Sequence, residues 1–273
     1  MNILKQMISF IGAGSMAESI IKGLLNTQCV TTEQIQVTNR SNNQRLTCIA
    51  ENYHVIVSRN FEKIVSDADV LILAMKPKDA LEALLALRSY VTTNHIVLSV
   101  MAGISTNFIE SVLEDQIPVI RAMPNTSSEI GFSATTVCTG KYSTFENLKN
   151  AIQLFESIGS VFVVDEKQMD VTTAIAGSGP AYFYYIADAI QKAALIHGIG
   201  DHEARMLIAD TLIGAGEMLK QSSTDLGQLR KKITSPGGTT AAGIQALMEG
   251  NVHHAFISCI TAAVRRSQEL EKG

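Results

Sequence analysis

Residues 7–25 join a short apolar stretch, a glycine turn and a helical repeat in one run. Met7, Ile8, Ser9, Phe10 and Ile11 have the length and mostly apolar character of a buried parallel strand. Gly12, Ala13, Gly14, Ser15, Met16 and Ala17 follow. From there apolar residues recur as Met16, Ile20, Leu24 and as Ala17, Ile21, Leu25, the spacing of a helix. Each small residue has a physical use in such a unit. Gly12 lets the backbone turn off the strand, Gly14 lets a pyrophosphate approach the main chain, and Ala17 lets helix and strand pack closely. The helix start presents free N–H groups and partial positive charge to phosphate oxygens. The motif predicts a dinucleotide site; the alternative is an ordinary βα turn whose glycines serve packing only.

The rhythm continues. Residues 35–38, 55–57, 70–74, 96–100 and 118–121 read as further strands, with helical stretches such as 61–66, 78–89 and 106–113 among them. A later βαβ-like piece takes in 133–138, 144–158 and 160–164. Strands alternating with helices imply a doubly wound parallel sheet of Rossmann type, with right-handed crossovers. Its ligands lie beyond the carboxyl ends of the strands. The second strand ends at Asn39, Arg40 and Ser41, where an NAD site usually places a carboxylate for the ribose 2′-hydroxyl. A carboxylate would repel a 2′-phosphate. Arg40 can grip one, and Asn39 and Ser41 add uncharged donors. NADPH is therefore favoured, with NADH the weaker alternative; the other reading of Arg40 is a solvated charge opening the next helix. Lys76, on the same rim, is either a cofactor contact or a surface lysine beside the strand-ending Pro77.

After Asp165 no strand-like run is convincing. Residues 169–176, 180–197, 202–220, 226–233, 239–248 and 252–271 all read as helices, so a domain boundary is expected near 165. The expected layout is a nucleotide-binding domain over 1–165 and an all-helical domain over 166–273. Ala187, Ala189, Ala193, Ala194, Ile208, Leu212 and Ile213 are more than one thin helical layer would bury, which predicts at least a dimer through this half. The formal net charge of −4 offers no basic stripe for nucleic acid, and no apolar run approaches a membrane span. The apolar N-terminal stretch ends in the glycine turn and reads as a strand, not a signal peptide. Cys29, Cys48, Cys138 and Cys259 form no CxxC pair, which suggests reduced thiols in a cytoplasmic protein. The six histidines show no HxxxH or HExxH spacing, so no metal is expected.

Two loops in the second half call for a function. Gly177, Ser178, Gly179, Pro180, Ala181 and Tyr182 open one long helix; Ser235, Pro236, Gly237, Gly238, Thr239 and Thr240 open another. Glycines and threonines at a helix start make a concave set of N–H donors and hydroxyls that can hold a small carboxylate. The other reading is an ordinary N-cap with a flexible lead-in.

These two loops, with residues 10–17, Ala74-Met75-Lys76-Pro77 and Arg121-Ala122-Met123-Pro124-Asn125, resemble the Δ1-pyrroline-5-carboxylate reductase family, and the resemblance spans almost the whole chain. It implies NADPH-dependent reduction of a cyclic imine acid to L-proline, the last step of proline synthesis. It also implies a helical C-terminal dimerisation domain, often within a ring of dimers. Carried across, the glycine loop with Asn39 and Arg40 would hold the phosphates. Asn60, Ala74, Met75, Lys76 and Pro77 would line the cofactor, as would residues 99–103, Ala102 and Gly103 among them. Glu166 matches a family glutamate near the domain junction and is counted with the cofactor residues. Ser235, Gly237, Gly238, Thr239 and Thr240 match the substrate loop, with Thr240 as the catalytic residue. Met101 departs from a common family alanine and is expected to alter the nicotinamide rim slightly. Because no Lys, His or Glu is an obvious general acid, the imine is expected to arrive protonated or to take its proton through Thr240 and water.

Two rival readings stand beside this one. A 3-hydroxyacid dehydrogenase carries a catalytic lysine soon after a comparable glycine pair, and here no lysine follows Gly179 until Lys192. A non-catalytic NADP(H)-binding relative is opposed by the intact 235–240 loop.

Overall fold

A computed structural model describes residues 5–114 and 116–272. The strands are β1 (Ile8–Ile11), β2 (Ile35–Thr38), β3 (Ile56–Val57), β4 (Val70–Leu73), β5 (Ile96–Ser99), β6 (Val119–Met123), β7 (Ser133–Thr139) and β8 (Gly159–Val163). They form one sheet in the order β3-β2-β1-β4-β5-β6-β7-β8. The chain steps outward from β1 to β2 and β3, then returns to the other side of β1 with β4. This is the topological switch beside which doubly wound sheets bind ligands.

The first six strands run parallel. β7 is antiparallel to β6, with Arg121 opposite Cys138, and is a departure from an all-parallel sheet. A tight 3₁₀ turn, Thr126–Ile130, joins β6 to β7, and a connection without a crossover helix can only join antiparallel neighbours. β8 then pairs parallel with β7 across a helix.

Strand periodicity divides the interior into two layers. Ile8, Phe10, Val70, Ile72, Ile96 and Leu98 face one side; Ile11, Leu71, Leu73 and Val97 face the other. Helices α1 (Ser15–Asn26), α2 (Asn43–Tyr53) and α6 (Phe145–Glu156) cover the first side through residues such as Ala17, Ile20, Leu46 and Phe155. Helices α3 (Phe61–Ser66), α4 (Ala80–Leu87) and α5 (Thr106–Leu113) cover the second through Ile64, Leu84 and Ile109. Each fully buried Ile, Leu or Phe contributes about 1.5–3 kcal/mol. Side-chain caps from Asn42, Asn60, Ser105 and Thr144 fix where α2, α3, α5 and α6 begin.

Two helices differ from their sequence expectation. The stretch expected as a helix over 78–89 opens as a 3₁₀ turn, Pro77–Asp79, because proline lacks an N–H and favours a first-turn position; α4 follows. The helix expected over 169–176 is α7 (Met169–Thr172) continued by a π-turn, Thr173–Gly177, whose Ala176 carbonyl accepts a hydrogen bond from Asn125 Nδ2 at 2.9 Å. Helices α8 (Gly179–Ile196), α9 (Asp201–Gln221), α10 (Leu226–Lys232), α11 (Thr239–Glu249) and α12 (Val252–Lys272) complete the chain. Two compact units emerge: one runs up to Pro180 and takes in the end of α12 from Ala263, and the other is Ala181–Ala262. Along α8 to α11 only Gly179 and Ala204 are buried, while Tyr184, Tyr185, Leu207 and Ile213 are exposed in the single chain. Among the described residues no helix is long and apolar enough to cross a membrane.

Candidate functional site

A cavity of about 630 Å³ opens at the carboxyl ends of β1, β2 and β4. Gly12, Ala13 and Gly14 form its floor, Asn39, Arg40 and Ser41 one wall, and Ala74, Met75 and Lys76 another. The strand pairing explains the convergence: the Gly12 N–H donates to the Thr38 carbonyl at 2.9 Å, and the Ala74 N–H to Ile11 at 2.9 Å. Gly12 has φ +118°, and a Cβ there would lie 2.6 Å from the Ala74 carbonyl. Only glycine fits. Gly14 differs. Its nearest neighbour to an added Cβ is the Ala74 oxygen at 3.8 Å, so the chain itself tolerates a side chain there. Ala17 is fully buried on the sheet.

The start of α1 carries Glu18, which would oppose a phosphate. Arg45 answers it: its Nη2 pairs with Glu18 and its Nε donates to the Ala13 carbonyl at 2.7 Å, bracing the glycine turn. Tyr53 adds a hydrogen bond to Glu18 at 3.1 Å. Burial pushes the Glu18 carboxyl up, but the bonds from Arg45 and Tyr53 and the charges of Arg45 and Lys22 outweigh it, so its pKa falls below the usual carboxylate value. Burial, with the bond to Glu18, pushes Tyr53 up to about 12. Glu18 is thus a neutralised brace, and the N-terminal N–H groups of α1 keep their positive field.

Several expected residues make contacts within the chain. The Asn39 amide is committed at both ends to the backbone of Asn42, at 2.8 and 2.9 Å. Arg40 is not free: its Nη1 lies 2.7 Å from Glu82 and 3.4 Å from Asp79. Asn60 caps α3 through Lys63 N–H at 3.0 Å and is not part of the cavity wall, nor are Ser15, Met16, Pro77, Ala102 and Gly103. Met101 lies in the core with 1% exposure, so the side chain expected at the rim points inward instead. Glu166 accepts from the Thr106 N–H and hydroxyl, at 2.7 and 2.6 Å, just after the turn that carries Ala102 and Gly103. It also lies 3.7 Å from buried Arg121, whose other arm is 3.9 Å from Asp170. Burial, helped by the Glu166 charge, raises Cys138 to about 12, so it is a neutral thiol.

The sequence reading missed Arg45, Arg59, Lys78, Asp79 and Glu82, all of which line the cavity. Arg45 had a signal, since Asn42 three residues earlier caps α2. The others depend on how β3 and α4 approach β2.

The second unit presents its own feature. Gly237 has φ +70°, and the turn leads into α11 with Gly238 as its N-cap. The Gly238 N–H is spent on the Ser235 carbonyl at 3.1 Å, which removes it from the expected donor set. The first-turn N–H groups of Thr239 and Thr240 remain, and both residues are exposed.

Comparison with known proteins places this geometry. A family model described as pyrroline-5-carboxylate reductase dimerisation matches residues 166–270, and one described as NADP oxidoreductase, coenzyme F420-dependent, matches residues 7–103. Pyrroline-5-carboxylate reductase 1 of Bacillus subtilis is 45% identical over 265 residues, 97% of this chain and 89% of the relative. The solved pyrroline-5-carboxylate reductase of Coxiella burnetii is 34% identical with a TM-score of 0.87, covering 99% of this chain and 100% of that one. A Plasmodium falciparum pyrroline carboxylate reductase, solved with NADP bound, shares the fold at 24% identity and a TM-score of 0.89, covering 99% of this chain and 100% of that one. With identity of this extent along nearly its full length, the chain belongs to the pyrroline-5-carboxylate reductase family.

Proposed function

We propose that the chain reduces 1-pyrroline-5-carboxylate to L-proline, the last step of proline biosynthesis, with NADPH preferred to NADH. The observation that carries this reading is the 45% identity to a pyrroline-5-carboxylate reductase over 97% of the chain. The cavity supports the cofactor. Gly14 leaves a cradle that no part of the chain requires, no carboxylate closes β2, and Arg40 and Arg59 stand at that end. Residues 1–165 are assigned to the nucleotide and residues 166–273 to substrate and dimerisation.

NADPH supplies the hydride when bound. The chain's part is to hold and orient the imine. The Thr239 and Thr240 N–H groups suit the carboxylate, with Gly237 and Ser235 shaping the turn, and the Thr240 hydroxyl suits the ring nitrogen. The helical half supports a homodimer or a ring of dimers, and the four free cysteines support a reducing cytoplasmic setting. The test is to incubate the purified chain with NADPH and pyrroline-5-carboxylate, following NADPH absorbance and identifying the product by chromatography. Folded protein that consumes no NADPH, or that makes a product other than proline, sinks the reading.

A further inference from the structure

We propose that Arg59 is the specificity-determining cation for the ribose 2′-phosphate, and that Glu82 and Asp79 compete with that phosphate for Arg40. This rests on the reading that the cavity takes a nicotinamide dinucleotide. β2 and β3 pair in parallel, with Val37 opposite Val57, so Arg40 and Arg59 leave the sheet side by side at the same rim. The Arg59 Nη1 donates to the Arg40 carbonyl at 2.6 Å, which fixes its guanidinium at the cavity wall. Among the described residues no carboxylate pairs with it, and the donors that do not face Arg40 are open to an incoming anion.

Arg40 is arranged differently. Its guanidinium already spans Glu82 and Asp79 on the far wall. A phosphomonoester must displace these carboxylates to gain Arg40, whereas it meets Arg59 without exchange. Both pairs are exposed, with the Glu82 side chain 70% accessible, so the exchange is a small barrier and not a lock. The site is therefore a clamp with one ready arm and one held arm.

The test uses calorimetric titration of the full chain with 2′,5′-ADP and with 5′-AMP, which differ by the 2′-phosphate. Wild type is expected to bind 2′,5′-ADP more tightly. Arg59→Gln is expected to weaken 2′,5′-ADP by roughly tenfold to a hundredfold and 5′-AMP by less than about twofold, the loss of one charge-assisted contact. Arg59→Lys should recover part of the loss. Glu82→Gln is expected to tighten 2′,5′-ADP by roughly two- to fivefold, as for removal of one exposed ion pair. Equal loss for both nucleotides in Arg59→Gln, or no loss for either, overturns the assignment of Arg59. Weaker 2′,5′-ADP binding in Glu82→Gln overturns the competition, since Glu82 would then be positioning Arg40. If wild type binds neither nucleotide, the dinucleotide reading itself fails, an outcome distinct from discrimination that survives the loss of Arg59.

Discussion

Glu166 grips the first residue of α5, Thr106, twice: one carboxylate oxygen takes the backbone N–H at 2.7 Å and the other the hydroxyl at 2.6 Å. A residue carried over as a cofactor contact is thus, within this chain, an anchor for a helix start sixty positions earlier. A carboxylate at a helix N-terminus is stabilised by the local dipole, and hydroxyl bonds to charged acceptors are among the stronger ones. Thr106→Val keeps the buried shape and removes the hydroxyl. The expected cost is about 1.5–3 kcal/mol in urea unfolding. No measurable loss would show that the backbone bond alone secures the pair.

Gly23 lies inside α1, where alanine would ordinarily stabilise by about 1 kcal/mol. Here an added Cβ would sit 2.3 Å from the Ser128 carbonyl oxygen and 2.7 Å from Ile158 Cγ2. Ser19 already ties the same turn to the helix through Thr126 and Ser128, at 3.1 and 2.8 Å, so the turn has little room to retreat. Gly23→Ala is expected to destabilise by about 1–3 kcal/mol, as overpacking does. A raised midpoint would mean that the Thr126–Ile130 turn yields freely.

Glu110 gives a pH-dependent prediction. Burial on α5 raises its pKa, and hydrogen bonds from the Tyr142 and Lys141 N–H groups only partly offset this. A raised folded-state value favours the folded form while the carboxyl is protonated in both states, and that contribution is lost as pH rises through the folded pKa. Glu110→Gln should therefore melt higher than wild type at neutral pH, with the gap closing as pH falls below the ordinary glutamate value. A gap that stays constant across that range would assign the effect to packing.

Thr240 is the second residue of α11 and is exposed. Thr240→Val keeps shape and backbone and removes the hydroxyl. If the hydroxyl serves the imine nitrogen as hydride arrives, kcat should fall by roughly tenfold to a thousandfold while NADPH affinity barely changes. Near-normal turnover would leave the loop as a carboxylate holder only.

What the sequence disclosed and what it hid follow from range. The glycine turn, the layered strands and the helical half are local patterns, since Gly12, Ala17 and the alternation of Ile8 and Phe10 with Ile11 need only their neighbours to be read. The carboxylate partners of Arg40 lie 39 and 42 positions away, and Thr106, the hydrogen-bond partner of Glu166, lies 60 away, so no short window of sequence contains them. The burial of Met101 is equally non-local. The residue's position after β5 is evident, but the inward turn of its side chain depends on the packing of α5 and β4. The antiparallel β7 was hidden because a 3₁₀ turn after Pro124 carries no periodicity of its own.

The scarcity of buried residues along α8 to α11 makes dilution a chemical variable for this protein. A unit with almost no interior of its own draws its folding free energy from association, so its stability follows mass action and not sequence alone. Its melting point should climb with protein concentration, and a substitution at Tyr185 or Ile213, harmless in a self-contained helix pair, should act as though the whole solution had been thinned.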